Sequence, residues 1–200
     1  SGVGVEYLRR KKRAWILNSW QVVIKRYPEM SEQIEVSTWA TGFKGVFGPR
    51  DFCMKTADGE MLACAHTLWV YVDTESGRPT KPDEEEIGAY EVEDPLSMEP
   101  ASRKIKLPES AAWVDTFPVY KYHIDTNHHV NNGKYVELAC EALPEDFRVT
   151  GLRVEYKKAA IYRDTMVLKC AKEDDRVIAG LCDEEGNPYA VVEFVGENAE

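Results

Sequence analysis

The densest group of chemically capable side chains lies in one short segment, residues 122–132, which reads Tyr-His-Ile-Asp-Thr-Asn-His-His-Val-Asn-Asn. Asp125, Asn127 and His129 stand at alternate positions, so in an extended segment they would project to one face, with His128 pointing the other way. An imidazole moves protons near neutral pH, and an amide can hold a carbonyl or a water. We therefore predict a catalytic site for acyl transfer at Asp125, Asn127 and His129.

Two other interpretations of this segment stay open. Asp-x-Asn before a helix is also an ordinary turn and N-cap sequence. The segment also holds four side chains of metal-ligand type, His123, Asp125, His128 and His129. Adjacent histidines of an extended loop face opposite ways, however, and no cysteine lies nearby. The prediction is therefore a site without a metal ion.

The elements around this segment indicate how it would be positioned. It joins a predicted strand, residues 113–122, to a predicted helix, residues 130–142. The N-terminus of a helix offers free backbone N–H groups and partial positive charge, which would stabilise a developing oxyanion. Alternating apolar residues and turn signals then predict strands over residues 149–158, 165–171, 176–182 and 188–195.

The first half of the chain repeats this order. The tail of a helix is predicted over residues 4–12, followed by strands over residues 15–25, 34–39, 47–56 and 61–72. Asp58-Gly59 between the last two strands is a hairpin signal. The two halves therefore read as one α+β unit used twice, with a first domain over residues 1–75, a linker over 76–108 and a second domain over 109–200. Because the first half lacks a counterpart of strand 113–122, we expect further residues to precede residue 1.

The amino-acid composition excludes some kinds of binding partner and predicts the cellular compartment. The 200 residues carry a net charge of −10, which argues against nucleic acid or an anionic membrane as the main partner. No stretch approaches the roughly 20 apolar residues of a membrane span, and no signal peptide is visible. Five cysteines without a CxxC pair predict free thiols in the cytoplasm. One basic run is a candidate docking face for an acidic partner: Arg9, Arg10, Lys11, Lys12 and Arg13.

Residues 125–135 resemble the motif D-x-N-x-H-V-N-N-x-K-Y of the acyl-acyl-carrier-protein (acyl-ACP) thioesterase family. Within that family, the chain resembles the bacterial type. Other landmarks of that family follow one another in the first half: Arg26-Tyr27-Pro28, Thr38-Trp39, Gly42-Phe43-Lys44-Gly45, Arg50-Asp51-Phe52, Asp58-Gly59-Glu60 and Leu68-Trp69-Val70. The resemblance covers nearly all of the chain.

This resemblance implies both a fold and a reaction. The implied fold is α+β, with two fused hot-dog domains, each a long helix wrapped by an antiparallel sheet. The implied reaction is hydrolysis of fatty acyl-ACP to free fatty acid and holo-ACP, with water as second substrate and no metal or cofactor. By position, Asp125, Asn127 and His129 take the catalytic roles. The first hot dog is implied to supply much of the acyl pocket, for which four tryptophans are candidates: Trp15, Trp20, Trp39 and Trp69.

The chain departs from the plant members of the family after the helix. They carry Arg-Arg-Glu-Cys where this chain has Lys157, Lys158, Ala159 and Ala160. A cysteine nucleophile is therefore excluded at this place, and Glu155, roughly 13 Å from Ala159 by strand rise, is a poor substitute for the glutamate. Two alternatives stay open, an acyl-CoA thioesterase and an acyl-binding hot-dog protein without hydrolysis. A monomer and a homodimer are both compatible with the sequence.

Overall fold

The computed structural model describes residues 2–173 and 175–198, and it divides into two compact units, Ser1–Ala101 and Ser102–Glu200. The predicted limits of the domains and of the linker stay a prediction. None of the helices in the described ranges has the length and apolar character that crossing a membrane requires.

The first unit is a four-stranded antiparallel sheet with two short helices. Helix α1 (Val5–Arg10) precedes strands β1 (Arg13–Ile24), β2 (Ile34–Ala40), β3 (Phe47–Thr56) and β4 (Met61–Asp73), and helix α2 (Glu84–Gly88) follows. The strand order is β2-β3-β4-β1. The turn between β3 and β4 is the predicted Asp58-Gly59 hairpin, in which Gly59 has a φ of +94°. Strand β2 lies at the edge of this sheet and is largely exposed, with Val36 63% exposed.

The acidic part of the predicted linker is fixed to the first unit. Asp83 and Glu86 form a capping box at the start of α2, and the buried Glu86 accepts a hydrogen bond from the Tyr71 hydroxyl. Residues 90–101, the strap, then run over the sheet: Trp39 Nε1 donates to the Asp94 carbonyl at 3.1 Å, and Gln21 Nε2 donates to the Glu99 carbonyl at 2.6 Å.

A buried carboxylate also holds the strap. Asp51 on β3 is 1% exposed, and its two oxygens accept from Leu96 N at 2.7 Å and contact His66 Nδ1 at 2.6 Å. Asp51 and His66 are directly paired across β3 and β4. Burial of a carboxylate is tolerated only when such partners replace its water.

The second unit is a five-stranded antiparallel sheet packed on one helix. Its elements are β5 (Ala112–Pro118), α3 (Asn132–Ala139), β6 (Phe147–Tyr156), β7 (Thr165–Glu173), β8 (Arg176–Cys182) and β9 (Pro188–Asn198), in the strand order β6-β9-β8-β7-β5. Helix α3 packs on β8 and β9 and is extended by a 3-10 turn at Cys140–Ala142. This confirms the helix predicted over residues 130–142. With eight residues in α3 and six in α1, the helices are shorter than the hot-dog helices that the resemblance implied.

Strand β8 is buried on both faces, which explains its nearly continuous apolar sequence. One face meets α3. On the other, Ile105 and Leu107 pack against Ile178 and Val191. Gly180 permits this contact, because a Cβ atom there would lie 2.5 Å from Leu107 Cδ2. The end of the predicted linker therefore forms part of the core of the second unit.

Candidate active site

The predicted catalytic residues lie in a tight turn rather than in an extended segment. Asp125 N donates to the His129 carbonyl at 2.8 Å, and Ile124 and Val130 form an antiparallel bridge that closes the loop. The extended prediction is therefore wrong. The cause is local, because Asp125 Oδ1 accepts from Asn127 N at 2.7 Å, a side-chain bond that competes with extended backbone.

The turn brings two of the three side chains together. Asn127 Nδ2 lies 3.5 Å from Asp125 Oδ2, and Asp125 is half-buried while Asn127 and His129 are exposed. In residues 2–173 and 175–198, no hydrogen bond joins the His129 imidazole to Asp125. The catalytic roles of the three residues stay a prediction. In this conformation the Asp125 carboxylate contacts Asn127 rather than the His129 imidazole.

Helix α3 offers fewer free N–H groups to an oxyanion than the sequence suggested. Asn131 caps the helix, with its Oδ1 accepting from Gly133 N at 2.9 Å and its carbonyl accepting from Lys134 N at 2.9 Å. Among the described residues, the Asn132 N–H has no such partner. The candidate donors to an oxyanion are therefore this N–H group and the Asn127 amide.

A chain of hydrogen bonds fixes residues 124–130, which we call the catalytic turn after its predicted role, to the rest of the second unit. The buried Tyr135 hydroxyl accepts from Ala160 N at 2.8 Å, and the Ala160 carbonyl accepts from Val130 N at 2.9 Å, next to His129. Burial raises the pKa of Tyr135. Tyr156 donates from its hydroxyl to the Asn132 carbonyl at 2.9 Å and packs edge-on against the Tyr135 ring.

We expect Tyr135→Phe to lower both stability and activity. The substitution keeps the ring but leaves the Ala160 N–H buried without an acceptor, which costs roughly 1–3 kcal/mol. Because Ala160 holds Val130, the turn carrying His129 would also lose a restraint, so kcat should fall. Thermal melting and steady-state hydrolysis of acyl-ACP would measure the two effects. Tyr156→Phe is the matched control, since it removes a donor from the Asn132 carbonyl and spares Ala160. Equal losses in kcat for both variants would contradict the assignment.

The positions at which the chain departs from plant relatives lie beside this loop. Strand β6 ends at Tyr156, two residues earlier than predicted, so Ala159 lies beyond the strand. Ala159 is exposed, whereas Ala160 is completely buried. Glu155 is engaged elsewhere, because its carboxylate accepts from Ile105 N at 2.9 Å and pairs with Lys157 at 2.7 Å. It therefore does not replace the missing glutamate.

In the sequence, His123 was notable only as one of four side chains of metal-ligand type. In the structure, His123 supports the catalytic turn. Its ring is 4% exposed and contacts the edge of Tyr122, and its Nδ1 accepts from Tyr120 N at 3.2 Å. Its carbonyl accepts from Asn131 N at 2.8 Å. Burial, together with the charge of Lys134, lowers the pKa of His123. The sequence signal for this supporting role was the position of His123, which directly follows the predicted strand over residues 113–122.

This shift predicts a stability change with pH. Since the pKa of folded His123 lies below that of the unfolded chain, the unfolded chain binds the proton first as pH falls. Stability is then lost from about pH 6.5 downward, until the folded pKa is reached. We expect Tm to fall as the pH drops below about 6.5, and to fall less in His123→Asn, whose amide oxygen can still accept from Tyr120 N. If Tm fell by the same amount with pH in the wild type and in His123→Asn, the role given to His123 would be contradicted.

The basic run that was a candidate docking face is largely neutralised within the first unit. Four of its members pair with acids: Arg9 with Glu6, Lys11 with Asp83 and Glu86, Lys12 with Glu75, and Arg13 with Asp73. Among the described residues, only Arg10 of the run has no ion pair. The pairs of Lys11, Lys12 and Arg13 attach the segment between α1 and β1 to residues 73–75 and to the start of α2, so these cations have a structural role.

The first unit contains a half-open aromatic cavity of about 150 Å³. Two of the four candidate tryptophans, Trp15 and Trp69, line it, whereas Trp20 stacks on Phe52 and Trp39 binds the strap. The complete lining is Trp15, Ala40, Phe43, Gly48, Pro49, Arg50, Trp69 and Tyr90.

Neither metal nor disulfide chemistry has a site in the described part of the chain. No three His, Cys, Asp or Glu side chains converge as metal ligands in residues 2–173 and 175–198. All five cysteines are free, as predicted, and burial raises the pKa of Cys64 and of Cys182.

Comparison with known proteins gives the same family in both units. Residues 1–90 match the acyl-ACP thioesterase N-terminal domain, and residues 108–183 match the acyl-ACP thioesterase C-terminal domain. A chloroplastic palmitoyl-acyl carrier protein thioesterase of Gossypium hirsutum is 30% identical over 170 residues, covering 74% of this chain and 39% of that protein. The chain thus spans about two fifths of the length of the curated relatives it matches.

Two solved structures share the fold. An acyl-ACP thioesterase from Bacteroides thetaiotaomicron has a TM-score of 0.89 at 20% identity, and a 12:0-ACP thioesterase from Umbellularia californica has 0.87 at 20% identity. Each comparison covers 98% of this chain and 82% of the other. These likenesses confirm the α+β hot-dog fold class predicted from the sequence. The two matched domains show that the chain belongs to the acyl-ACP thioesterase family.

Proposed function

We propose that this chain hydrolyses the thioester of fatty acyl-ACP, releasing free fatty acid and holo-ACP for fatty acid metabolism. The observation that carries the proposal is the match of both family domains, in order, over most of the chain, with Asp125, Asn127 and His129 in one turn before α3. The partner is acyl carrier protein, and the enzyme class is thioester hydrolase.

The mechanism we propose is direct attack by water. The exposed His129 accepts a proton from a water molecule while the water oxygen bonds to the thioester carbonyl carbon. The Asn127 amide and the Asn132 N–H stabilise the resulting oxyanion, and a single donor of this kind typically contributes about 10²–10³ in rate. Collapse breaks the carbon–sulfur bond, and the departing thiolate takes the proton from His129. Asp125 positions Asn127 through their hydrogen bonds.

The carrier can be identified by comparing kcat/KM on acyl-ACP with kcat/KM on the matching acyl-CoA, read as thiol release. We expect acyl-ACP to be the better substrate because both matched domains belong to an acyl-ACP family. A higher value on acyl-CoA would favour the acyl-CoA thioesterase. No release from either carrier would favour an acyl-binding protein and make Ala159 the residue to explain.

We also propose a reducing compartment, the cytoplasm, as the location. The support is the set of five free cysteines. The matched plant relatives are named as chloroplastic, so imaging of the tagged protein in its own cells is the appropriate test. Size-exclusion chromatography with light scattering would separate the monomer from the homodimer.

A further inference from the structure

The second unit exposes an aromatic patch beside the catalytic turn. Among its described residues, five large apolar side chains stay exposed, and four of them come from two short segments, residues 120–122 and 161–163. We call the six side chains of these segments the site-flanking patch: Tyr120, Lys121, Tyr122, Ile161, Tyr162 and Arg163. Tyr122 is 71% exposed, which is unusual for so large a ring.

Backbone hydrogen bonds hold the two segments side by side. Val119 N donates to the Asp164 carbonyl at 2.8 Å, and Arg163 N donates to the Val119 carbonyl at 3.1 Å. The neighbouring Ala160 carbonyl accepts from Val130 N, at the end of the catalytic turn. The patch is therefore a fixed surface next to His129.

The patch carries positive charge that the protein does not neutralise. Lys121 Nζ lies 5.9 Å and Arg163 Cζ 5.3 Å from the centre of the Tyr162 ring, and both cations are exposed. Neither forms a salt bridge with any residue that the structure describes. The nearby Asp164 carboxylate is bound instead to Ile161 N at 3.0 Å and to the Tyr189 hydroxyl at 3.2 Å.

This combination contrasts with the basic run. Four of the five residues of the run are paired with acids, and so are three lysines of the second unit, Lys134, Lys157 and Lys158, which bind Glu137, Glu155 and Asp183. A chain of net charge −10 repels an acidic protein unless it presents a local positive face. Exposed tyrosines next to arginine are also the side chains enriched at protein interfaces.

We propose that the site-flanking patch docks the acidic surface of the carrier protein and directs its thioester arm to the catalytic turn. The identity of the partner rests on the proposed function. In this arrangement Lys121 and Arg163 attract acidic side chains of the carrier, while Tyr120, Tyr122 and Tyr162 supply the apolar contact.

The test is binding of holo-ACP, which carries the arm but no acyl chain, so that no turnover is needed. Isothermal titration calorimetry would compare the wild-type chain with Lys121→Glu/Arg163→Glu. We expect the dissociation constant to rise about ten-fold or more, because two attractive contacts become repulsive. The matched control is Arg148→Glu/Lys172→Glu, which makes the same charge change on exposed cations near the start of β6 and the end of β7, away from the patch.

Unchanged melting temperatures would show that both double variants are folded. Equal weakening by both would overturn the proposal, since net charge alone would then explain the loss. Absence of holo-ACP binding by the wild-type chain would also overturn it. Because hydrolysis is measured separately, a wild-type protein that binds holo-ACP through the patch yet releases no fatty acid would contradict the proposed function and leave the docking surface supported.

Discussion

Replacing His129 by Ala is expected to lower kcat on acyl-ACP by about 10²–10⁴, the range that general acid–base catalysis contributes. His129 is exposed at the mouth of the catalytic turn, and within the described chain its imidazole makes no hydrogen bond that a structural role would require. The substitution should therefore leave Tm nearly unchanged. Steady-state release of free thiol and thermal melting, on the same preparations, would measure both quantities.

His128 provides the control for this prediction. It is the adjacent histidine, equally exposed, with a φ of +63°. Asparagine tolerates this left-handed conformation better than most residues, so His128→Asn removes the imidazole with little strain. We expect it to keep a rate close to that of the wild type. The assignment of His129 would be wrong if His129→Ala kept more than about a tenth of the wild-type kcat.

The second large effect is expected at Asp51, far from the catalytic turn in sequence. Asp51→Ala removes the acceptor of the Leu96 N–H and the partner of His66 Nδ1. Each of the two polar groups left without its partner costs roughly 1–3 kcal/mol, so the free energy of unfolding of the first unit should fall by about 2–6 kcal/mol. Urea denaturation followed by tryptophan fluorescence would measure this.

Asp51→Asn is the matched variant for that experiment. It keeps the size of the side chain and one oxygen acceptor for Leu96 N, so it should lose less stability than Asp51→Ala. If the two variants were equally stable, the hydrogen bond to the strap would have no energetic importance. Protease sensitivity of residues 90–101 offers a second readout, because release of the strap should expose it to cleavage.

Much of the sheet architecture is predictable from the sequence because its signals are local. Strand β8 begins and ends where its apolar run does, and β3 ends at the Asp58-Gly59 turn. In both cases a run of strand-forming residues ends at residues suited to a turn. The repetition of this pattern in the two halves was sufficient to predict two related α+β units.

The shape of the catalytic turn was not predictable by the same logic. Alternation of Asp125, Asn127 and His129 suggested an extended segment, but the Asp125 side chain bonds to the backbone two residues later and folds the segment on itself. Such Asx geometry was the interpretation left open, and it prevails because it also allows the Ile124–Val130 bridge.

Long-range charge pairing was equally hidden in the sequence. In the sequence, the basic run has the pattern of an unpaired surface. In the structure, Asp73, Glu75 and the capping box of α2 lie beside it. Likewise, the acidic linker reads as solvated until Glu86 is found buried under Tyr71. The ion pairs of Lys11, Lys12 and Arg13 join residues 60 to 75 positions apart, and nothing local signals them.

The most direct test of the central claim is mass spectrometry of the carrier itself. Medium- and long-chain acyl-ACPs would be incubated with the wild-type chain and with His129→Ala, and both the intact carrier and the free fatty acid would be measured. The proposed hydrolysis should give equal amounts of holo-ACP and fatty acid with the wild type, and almost none with the variant. Acyl-ACP that stays intact while bound to the wild-type chain would contradict it and identify an acyl-binding protein instead.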